Sequence, residues 1–333
     1  MTIRCVVVGS VVLLSSLAVA AQSQISDPFG FLQSTVQLSP DEKHQLDDRA
    51  IVLRILPASG HELATMAAAS LNVGPDAFIA RVENIVALKK GPNVPEIGKF
   101  STPPRLDDLD QLTLDDTDVN ALQQCRPNHC DLKLSADEVR RLSAARTSNP
   151  RNPRDAMQRE FRRIVLDRTT MYLNSGAQET QPQFRTLMQH SALVARTPQL
   201  SGYLERFPAA ALPGAKSFLY WSKETFAWNP MISVTHVTIL RNTGDNRLPE
   251  VLVISRDVFA TRYTGGSLVL SSLVRDPGSS ANRRYLVYVN RTWVDGVRAL
   301  WRPLVEYRVK TQAKKVFAAV RDRLERNGAM STQ

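Results

Sequence analysis

The chain has 333 residues, of which 43% are hydrophobic, 7% aromatic and 22% charged, and its formal net charge is +10 at pH 7. This is the composition of a globular protein, and it excludes a disordered chain, a collagen and a small disulfide scaffold. The sequence has no P-loop, Rossmann glycine fingerprint, H-E-x-x-H helix or G-x-S-x-G elbow. Enzymes that depend on those motifs therefore have no support.

The first 21 residues have the three parts of a secretory signal. Arg4 supplies the positive start, residues 5–21 carry no charge, and Ala18-Val19-Ala20 places small residues where a signal peptidase cleaves. A membrane anchor is the alternative, but the uncharged run falls short of the roughly 20 residues that a bilayer needs. We predict an exported protein, periplasmic or secreted, with an N-terminal extension at 22–50 and one α+β domain at 51–333.

Cleavage of the signal would leave two cysteines, Cys125 and Cys130. An even pair in an exported chain predicts a disulfide, and Pro127 and Asn128 suit the tight turn of so small a ring. A metal site that adds His129, and a free or redox-active pair, are the alternatives. Zinc sites usually take their ligands from two separated pairs, and this stretch lacks the second pair.

The part of the domain before residue 92 contains three predicted elements. Residues 51–56 form an apolar strand candidate, and residues 63–73 fit either a strand or a helix. A helix is predicted to begin after Gly74-Pro75 and to end at Gly91-Pro92.

A helical insertion is predicted over about residues 91–207. It contains six aspartates between 107 and 118, which suggest calcium but do not match an EF-hand loop, so helix capping is the simpler explanation. The prolines and asparagines at 148–155 coincide with a change of charge. Residues 22–150 hold 13 basic and 18 acidic side chains, whereas residues 151–333 hold 28 and 14. This break is either a domain boundary or a loop inside one domain.

Five consecutive runs rich in Val, Ile, Thr and aromatic residues follow between residues 216 and 292. Turn sequences separate them, which predicts an antiparallel β-meander. A last helix begins at Pro303 and ends at Asn327-Gly328. Basic residues cover most of this helix, and its apolar stripe is expected to pack on a sheet or another helix. The stripe consists of Val305, Val309, Ala313, Val316, Val320 and Leu324.

This order of elements resembles the helix-grip arrangement of START-like domains, in which a curved antiparallel sheet wraps a long C-terminal helix around a cavity. The resemblance covers the helix near 75–90 and residues 216–326, and it rests on element order. It implies a cavity for an apolar ligand, and an α+β domain of another topology is the alternative. The string CRPNHCDLKL is also similar to one in uncharacterised exported bacterial proteins, which implies no activity.

His236 is the most interesting single residue. On a regular strand it shares a face with Ile232, Val234 and Leu240, so its imidazole is expected to point into an apolar interior. There it serves either as an acid, base or ligand anchor, or as a core histidine bonded to a neighbouring strand. Glu224, on another predicted strand, is its candidate catalytic partner.

Four further residues are candidates for ligand binding. Arg262 and Tyr263 lie beside Gly265-Gly266, at a turn that could hold a polar ligand group or could be a plain hairpin. Trp221 and Tyr288 are expected either in the core or in a cavity wall.

Three functions stay open at this point. The first is a non-enzymatic carrier of an apolar, amphipathic or lipid-like ligand between sheet and terminal helix, with its basic surface near an anionic membrane. The second is a small-molecule enzyme that uses His236 and Glu224 as acid and base. The third is a structural or scaffold protein of the cell envelope. We expect no cofactor, and no nucleic-acid partner because an exported protein rarely meets one.

Overall fold

The structure is a computed structural model that describes residues 38–126, 129–175, 182–226, 229–242, 244, 248–276, 283–297 and 302–326. The predicted signal peptide, and the predicted N-terminal extension as far as residue 37, lie outside these residues. None of the helices in the described ranges combines the length and apolar character that a membrane crossing needs.

Within these ranges, eight strands form one antiparallel sheet. In chain order they are β1 (Val52–Leu56), β2 (Glu62–Leu71), β3 (Glu96–Lys99), β4 (Lys216–Phe226), β5 (Asn229–Arg241), β6 (Val251–Ala260), β7 (Thr264–Arg275) and β8 (Arg284–Val294). Their spatial order is β1-β2-β8-β7-β6-β5-β4-β3. The predicted meander is confirmed, because β4 to β8 are neighbours in sequence and in space. Strands from earlier in the chain extend the sheet at both ends.

The helices belong mostly to the insertion between β3 and β4. In chain order the α-helices are α1 (Pro40–Asp47), α2 (Pro75–Glu83), α3 (Ile85–Lys89), α4 (Asp116–Gln124), α5 (Ala136–Ser148), α6 (Pro153–Ser175), α7 (Pro182–His190), α8 (Ala192–Arg196), α9 (Pro198–Arg206) and α10 (Arg302–Glu325). The aspartates include a helix cap, as expected, since the Asp118 backbone N–H donates to the Asp115 carboxylate at 2.9 Å.

Helices cover both faces of the sheet, so the predicted α+β class is confirmed. On one face, which we call the insertion face, α1 and α4–α9 pack on alternate strand residues such as Val234 and Ile254. On the other, the terminal-helix face, α2, α3 and α10 pack on residues such as Val237 and Val253. Because successive strand residues point to opposite faces, the central strands contribute apolar residues to the clusters on both sides.

The C-terminal helix α10 runs along β2 on the terminal-helix face. At its start the Arg302 guanidinium donates to the carbonyl oxygen of Gly60 at 2.6 Å. Near its end Arg323 donates to the carbonyl oxygen of Leu88, the last apolar residue of α3, at 2.8 Å. The helix therefore lies toward the β1–β2 side of the sheet and reaches α3 only with its last turns.

The predicted stripe of α10 is wrong at one position. Val316 is 43% exposed, whereas Phe317 and Leu324 are buried against the sheet. Position 317 lies four residues after Ala313 and seven before Leu324, so it fits the helical period as well as position 316 does. The larger aromatic side chain takes the buried place.

The structure adds detail to three further predicted segments. Residues 62–71 form a strand rather than a helix, and every residue of it is buried between β1 and β8. The helix expected at about 75–90 is divided at Asn84, whose φ of −88° and ψ of 56° are not helical. The break at 148–155 joins α5 to α6, which pack into the same hydrophobic cluster through Leu142 and Met157.

Candidate functional site

A row of polar side chains crosses the terminal-helix face of the sheet. Tyr220 of β4 is paired with Thr235 of β5, and Thr235 with Asp257 of β6. Ser267 of β7 hydrogen-bonds to Asp257 and is paired with Thr292 of β8. We call these five residues the polar row. Most other buried positions on this face are apolar, so the row interrupts a hydrophobic core.

An ion pair lies at the β4 end of the polar row. Lys89, the last residue of α3, donates from Nζ to Glu224 Oε1 at 2.8 Å and to the Tyr220 hydroxyl at 2.9 Å. Ser222 also donates to Glu224, at 2.8 Å. Burial opposes the charge on both partners, but their mutual attraction outweighs it. The pKa of Glu224 therefore lies below its ordinary value and the pKa of Lys89 above it, and both are charged at neutral pH.

Asp257 is the second acid of the site, and its pKa is shifted in the opposite direction to the pKa of Glu224. Burial raises the pKa of Asp257 to about 6, although the hydrogen bond from Ser267 lowers it. The negative charge of Glu224 adds to the rise. Thr235 donates to Asp257 Oδ1 at 3.3 Å. Two carboxyl groups whose environments drive their pKa values apart are typical of sites that bind or transfer protons. Asp257 can thus give or accept a proton near pH 6.

From side-chain accessibility we infer a groove over the polar row. Lys89 and Glu224 are surrounded by protein, yet 28% and 29% of their side-chain surfaces stay accessible. Ser255, Val269 and Asn290, although they belong to central strands, are only half-buried. Side chains that are largely enclosed by protein but keep an accessible part are typical of the lining of a recess. The recess is lined by the polar row, by these three residues and by the Lys89–Glu224 pair. We call it the polar groove.

Two helices bound the polar groove. On the β2 side, the first half of α10 packs Val305 and Val309 against Leu63, close to the Thr292 end of the polar row. On the β4 side, α3 supplies Lys89. The groove exists because α10 crosses the β1–β2 side of the sheet and leaves the middle strands between the two helices.

The proposed pairing of His236 with Glu224 is wrong. His236 is paired across strands with Leu219, and Glu224 lies five residues further along β4, where alternation turns its side chain to the opposite face. His236 does share the insertion face with Val234, as predicted. Its ring lies 4.2 Å from that of Phe207, and its Nδ1 is hydrogen-bonded to the Tyr172 hydroxyl at 2.8 Å.

Of the remaining ligand-binding candidates, the structure brings only Tyr288 to the polar groove. Its neighbours include Lys89 and Glu224, and burial raises the pKa of Tyr288 to about 12. Trp221 is fully buried and donates from Nε1 to a backbone carbonyl oxygen at 2.8 Å. Its role is therefore in the core.

Arg262 and Tyr263 have structural contacts at the turn before β7. Arg262 is buried and donates to Asp118 at 2.5 Å and to the carbonyl oxygen of Pro230 at 2.9 Å. Tyr263 adopts a φ of 63° and accepts a hydrogen bond from the Asn229 backbone N–H at 3.2 Å. These contacts fix the turn, and neither residue reaches the polar groove.

The Cys125 and Cys130 sulfur atoms lie at disulfide distance, 1.90 Å apart. The ring closes directly after α4, where Cys125 is the C-cap. Within the described residues, no group of three or more His, Cys, Asp or Glu side chains is placed to hold a metal ion.

Lys89 and Asp257 are residues of the candidate site that the sequence did not reveal. Asp257 interrupts the apolar run EVLVISRDVF, and an ionisable residue inside a predicted buried strand is a signal of a site. Lys89 gives no such signal, because a lysine in the last turn of a helix is ordinary. Only the tertiary fold shows that its ammonium group reaches β4.

No protein-family model, curated protein or solved structure matches the chain.

Proposed function

We propose that this protein is an exported, non-enzymatic carrier that holds a small amphipathic ligand in the polar groove. The observation that supports this most strongly is the polar row, to which five consecutive strands each contribute a hydrogen-bonding side chain. A core packed for stability alone gains little from such groups, because burying them costs free energy. Ligand sites, in contrast, combine apolar walls with a few placed polar groups. The START-like resemblance, which implies a ligand between sheet and terminal helix, fits the same proposal.

The lining of the groove indicates the class of ligand. Asp257 and Asn290 offer donors and acceptors for a hydroxyl, amide or amine group, and the ammonium of Lys89 lies beside them. Val269 on the floor and Val305 on the wall offer apolar contacts. A molecule with a polar head and a short apolar body satisfies both parts. Of the apolar and amphipathic ligands that the sequence left open, this lining favours the amphipathic class.

Extraction of bound molecules tests the carrier proposal. Protein purified from its native cells is weighed by native mass spectrometry, extracted with organic solvent, and the extract is identified. Ser255→Phe would fill the groove beside Asp257, and Ser143→Phe makes the same change at an exposed position of α5. We expect wild type and Ser143→Phe to carry the same small molecule and Ser255→Phe to lose it. Wild type without a small molecule, or equal loading of all three proteins, would refute the proposal.

We further propose that the carrier works outside the cytoplasm beside an anionic membrane. The predicted signal at residues 1–21 supports export. The outer side of α10 supports the membrane contact, because Leu304 and Tyr307 are 47% and 70% exposed next to exposed Lys310 and Lys314. Apolar and basic groups side by side on a helix are typical of surfaces that bind anionic lipids.

Vesicle sedimentation tests the membrane contact. Wild type is expected to sediment with vesicles that contain phosphatidylglycerol and not with pure phosphatidylcholine. The double change Lys314→Glu and Lys315→Glu should abolish this, whereas Arg151→Glu and Arg159→Glu, exposed on the other side of the protein's sheet, should not. Equal sedimentation with both lipids, or equal loss with both variants, would reject the contact.

An enzymatic role is the second candidate, and the raised pKa of Asp257 beside the charged Lys89–Glu224 pair favours it. In that role Asp257, rather than His236, would transfer the proton. The extracted molecule, or a labelled copy of it, is incubated with protein and examined for conversion. An enzyme would convert it and lose this activity in Asp257→Asn while still binding. A carrier would return it unchanged.

A further inference from the structure

Arg256 is a buried cation on the insertion face, opposite to the polar groove. It is 6% exposed, and its guanidinium donates to the carbonyl oxygen of Leu204 at 2.8 Å. The rings of Phe184 and Tyr172 lie 4.0 and 5.4 Å from its Cζ. In the part of the chain that the structure describes, no carboxylate pairs with it. A charge this far from water normally has an anionic partner.

His236 is the direct cross-strand partner of Arg256. Burial and the charge of Arg256 lower the pKa of His236 to about 3, so its imidazole is neutral at physiological pH. Burial raises the pKa of Tyr172, which keeps its hydroxyl protonated. Arg256 can only donate, so the Tyr172 oxygen accepts a hydrogen bond from Arg256. The Tyr172 hydroxyl in turn donates its own hydrogen bond to His236 Nδ1. The proton of the imidazole is then on Nε2.

Two buried N–H groups consequently have no acceptor. They are Nε2 of His236 and Nε of Arg256, and neither atom has a hydrogen-bond partner in the structure. Buried donors in folded proteins are nearly always satisfied. The two residues come from adjacent strands and the same face, and aromatic rings surround them. The missing partner must accept hydrogen bonds, must be small, and is favoured if it carries negative charge.

We propose that Arg256 and His236 bind a small monovalent anion of the halide class, such as chloride, inside the insertion face. An anion would accept from both orphan donors and neutralise the guanidinium, whereas a water molecule would satisfy the donors and leave the charge uncompensated. This site is separate from the polar groove, because β5 and β6 lie between the two.

Anomalous diffraction with bromide tests the site directly. The full chain is unfolded and refolded in sodium bromide with its disulfide intact, so that a slowly exchanging buried ion is replaced, and is then crystallised in the same salt. We expect an anomalous peak within hydrogen-bonding distance of Arg256 Nε and His236 Nε2. Bromide peaks at the surface alone, with no anomalous signal between these atoms, would overturn the proposal.

Thermal unfolding provides a second measurement in solution. At matched ionic strength, wild type is expected to unfold at higher temperature in chloride than in gluconate, which is too large for the site. The midpoint should rise by about 2–4 °C for each tenfold increase in chloride above the Kd. Arg256→Met should remove this difference and Arg159→Met, an exposed control, should keep it. Equal midpoints of wild type in the two salts would contradict the proposal, and if Arg256→Met does not fold, the bromide experiment decides.

Discussion

Replacement of Asp257 by asparagine is expected to stabilise the protein at neutral pH and to have little effect in acid. The pKa of Asp257 in the folded protein is about 6, above its ordinary value of 3.8, so the folded state holds this proton more tightly than the unfolded state. The stability that the protonated carboxyl contributes is therefore complete below pH 3.8 and is lost as the pH rises through about 6. Asparagine is neutral throughout and escapes this loss.

The size of the effect follows from the same two pKa values. A tenfold change in proton affinity corresponds to about 1.4 kcal/mol, so the interval from 3.8 to about 6 corresponds to about 3 kcal/mol. Asp257 is half-buried, and solvent in the groove screens part of its interaction with Glu224. We therefore expect Asp257→Asn to raise the free energy of unfolding by about 1–3 kcal/mol above pH 7.

Urea unfolding of wild type and variant between about pH 4 and about pH 8 measures this difference. Asp48→Asn, an exposed position at the end of α1, is the matched control and should give a small difference at every pH. Destabilisation of the protein by Asp257→Asn at neutral pH would contradict the raised pKa of Asp257. A gain that is equal at both ends of the pH range would also refute it.

Three further predictions concern the framework around the site. Glu62→Gln should lower the free energy of unfolding by about 3–5 kcal/mol, because Glu62 is buried and its carboxylate binds Arg291 at 2.5 Å. Phe317→Ala should cost about 3 kcal/mol and Val316→Ala less than about 1 kcal/mol, because only Phe317 packs on the sheet. The oxidised protein should weigh about 2 Da less than its reduced form, and reduction of the six-residue ring should cost about 2 kcal/mol.

Each of these predictions has its own control and contradicting result. For the Glu62 pair the control is Asp137→Asn, whose pair with Arg140 is exposed and should contribute less than about 1 kcal/mol. Equal losses in the two variants would show that Glu62 is not buried with its partner. Equal effects at positions 316 and 317 would place α10 differently on the sheet. An unchanged mass after reduction would mean that the two cysteines are not bonded.

The sequence was sufficient for the parts of the fold that rest on local patterns. The meander was predictable because β-branched runs and turn sequences alternate between residues 216 and 292, and the terminal helix because its caps and period agree. Strand alternation also placed His236 correctly on an apolar face. The pattern could not decide whether Val316 or Phe317 is buried, because both positions fit the helical period.

The candidate site could not be assembled in the same way. Glu224 and His236 lie on the adjacent strands β4 and β5, but only the register shows that their side chains point to opposite faces of the sheet. Lys89 reaches Glu224 across 135 positions of sequence, through a contact that depends on where α3 meets β4. Asp257 was recognisable as an ionisable residue within an apolar run, but its partners in the polar row come from three-dimensional pairing across the sheet.

Thiol labelling tests most directly whether the middle of the terminal-helix face is an open groove. Ser255→Cys places a thiol on the groove floor, and Ser272→Cys places one on the next strand but on the insertion face, where Ser272 is 1% exposed. A small methanethiosulfonate reagent should modify the first thiol rapidly in the native protein and the second only after unfolding, and the extracted ligand should protect the first. Equally slow modification of both thiols would mean that the sheet is closed on both faces, and the groove and its ligand would have to be abandoned.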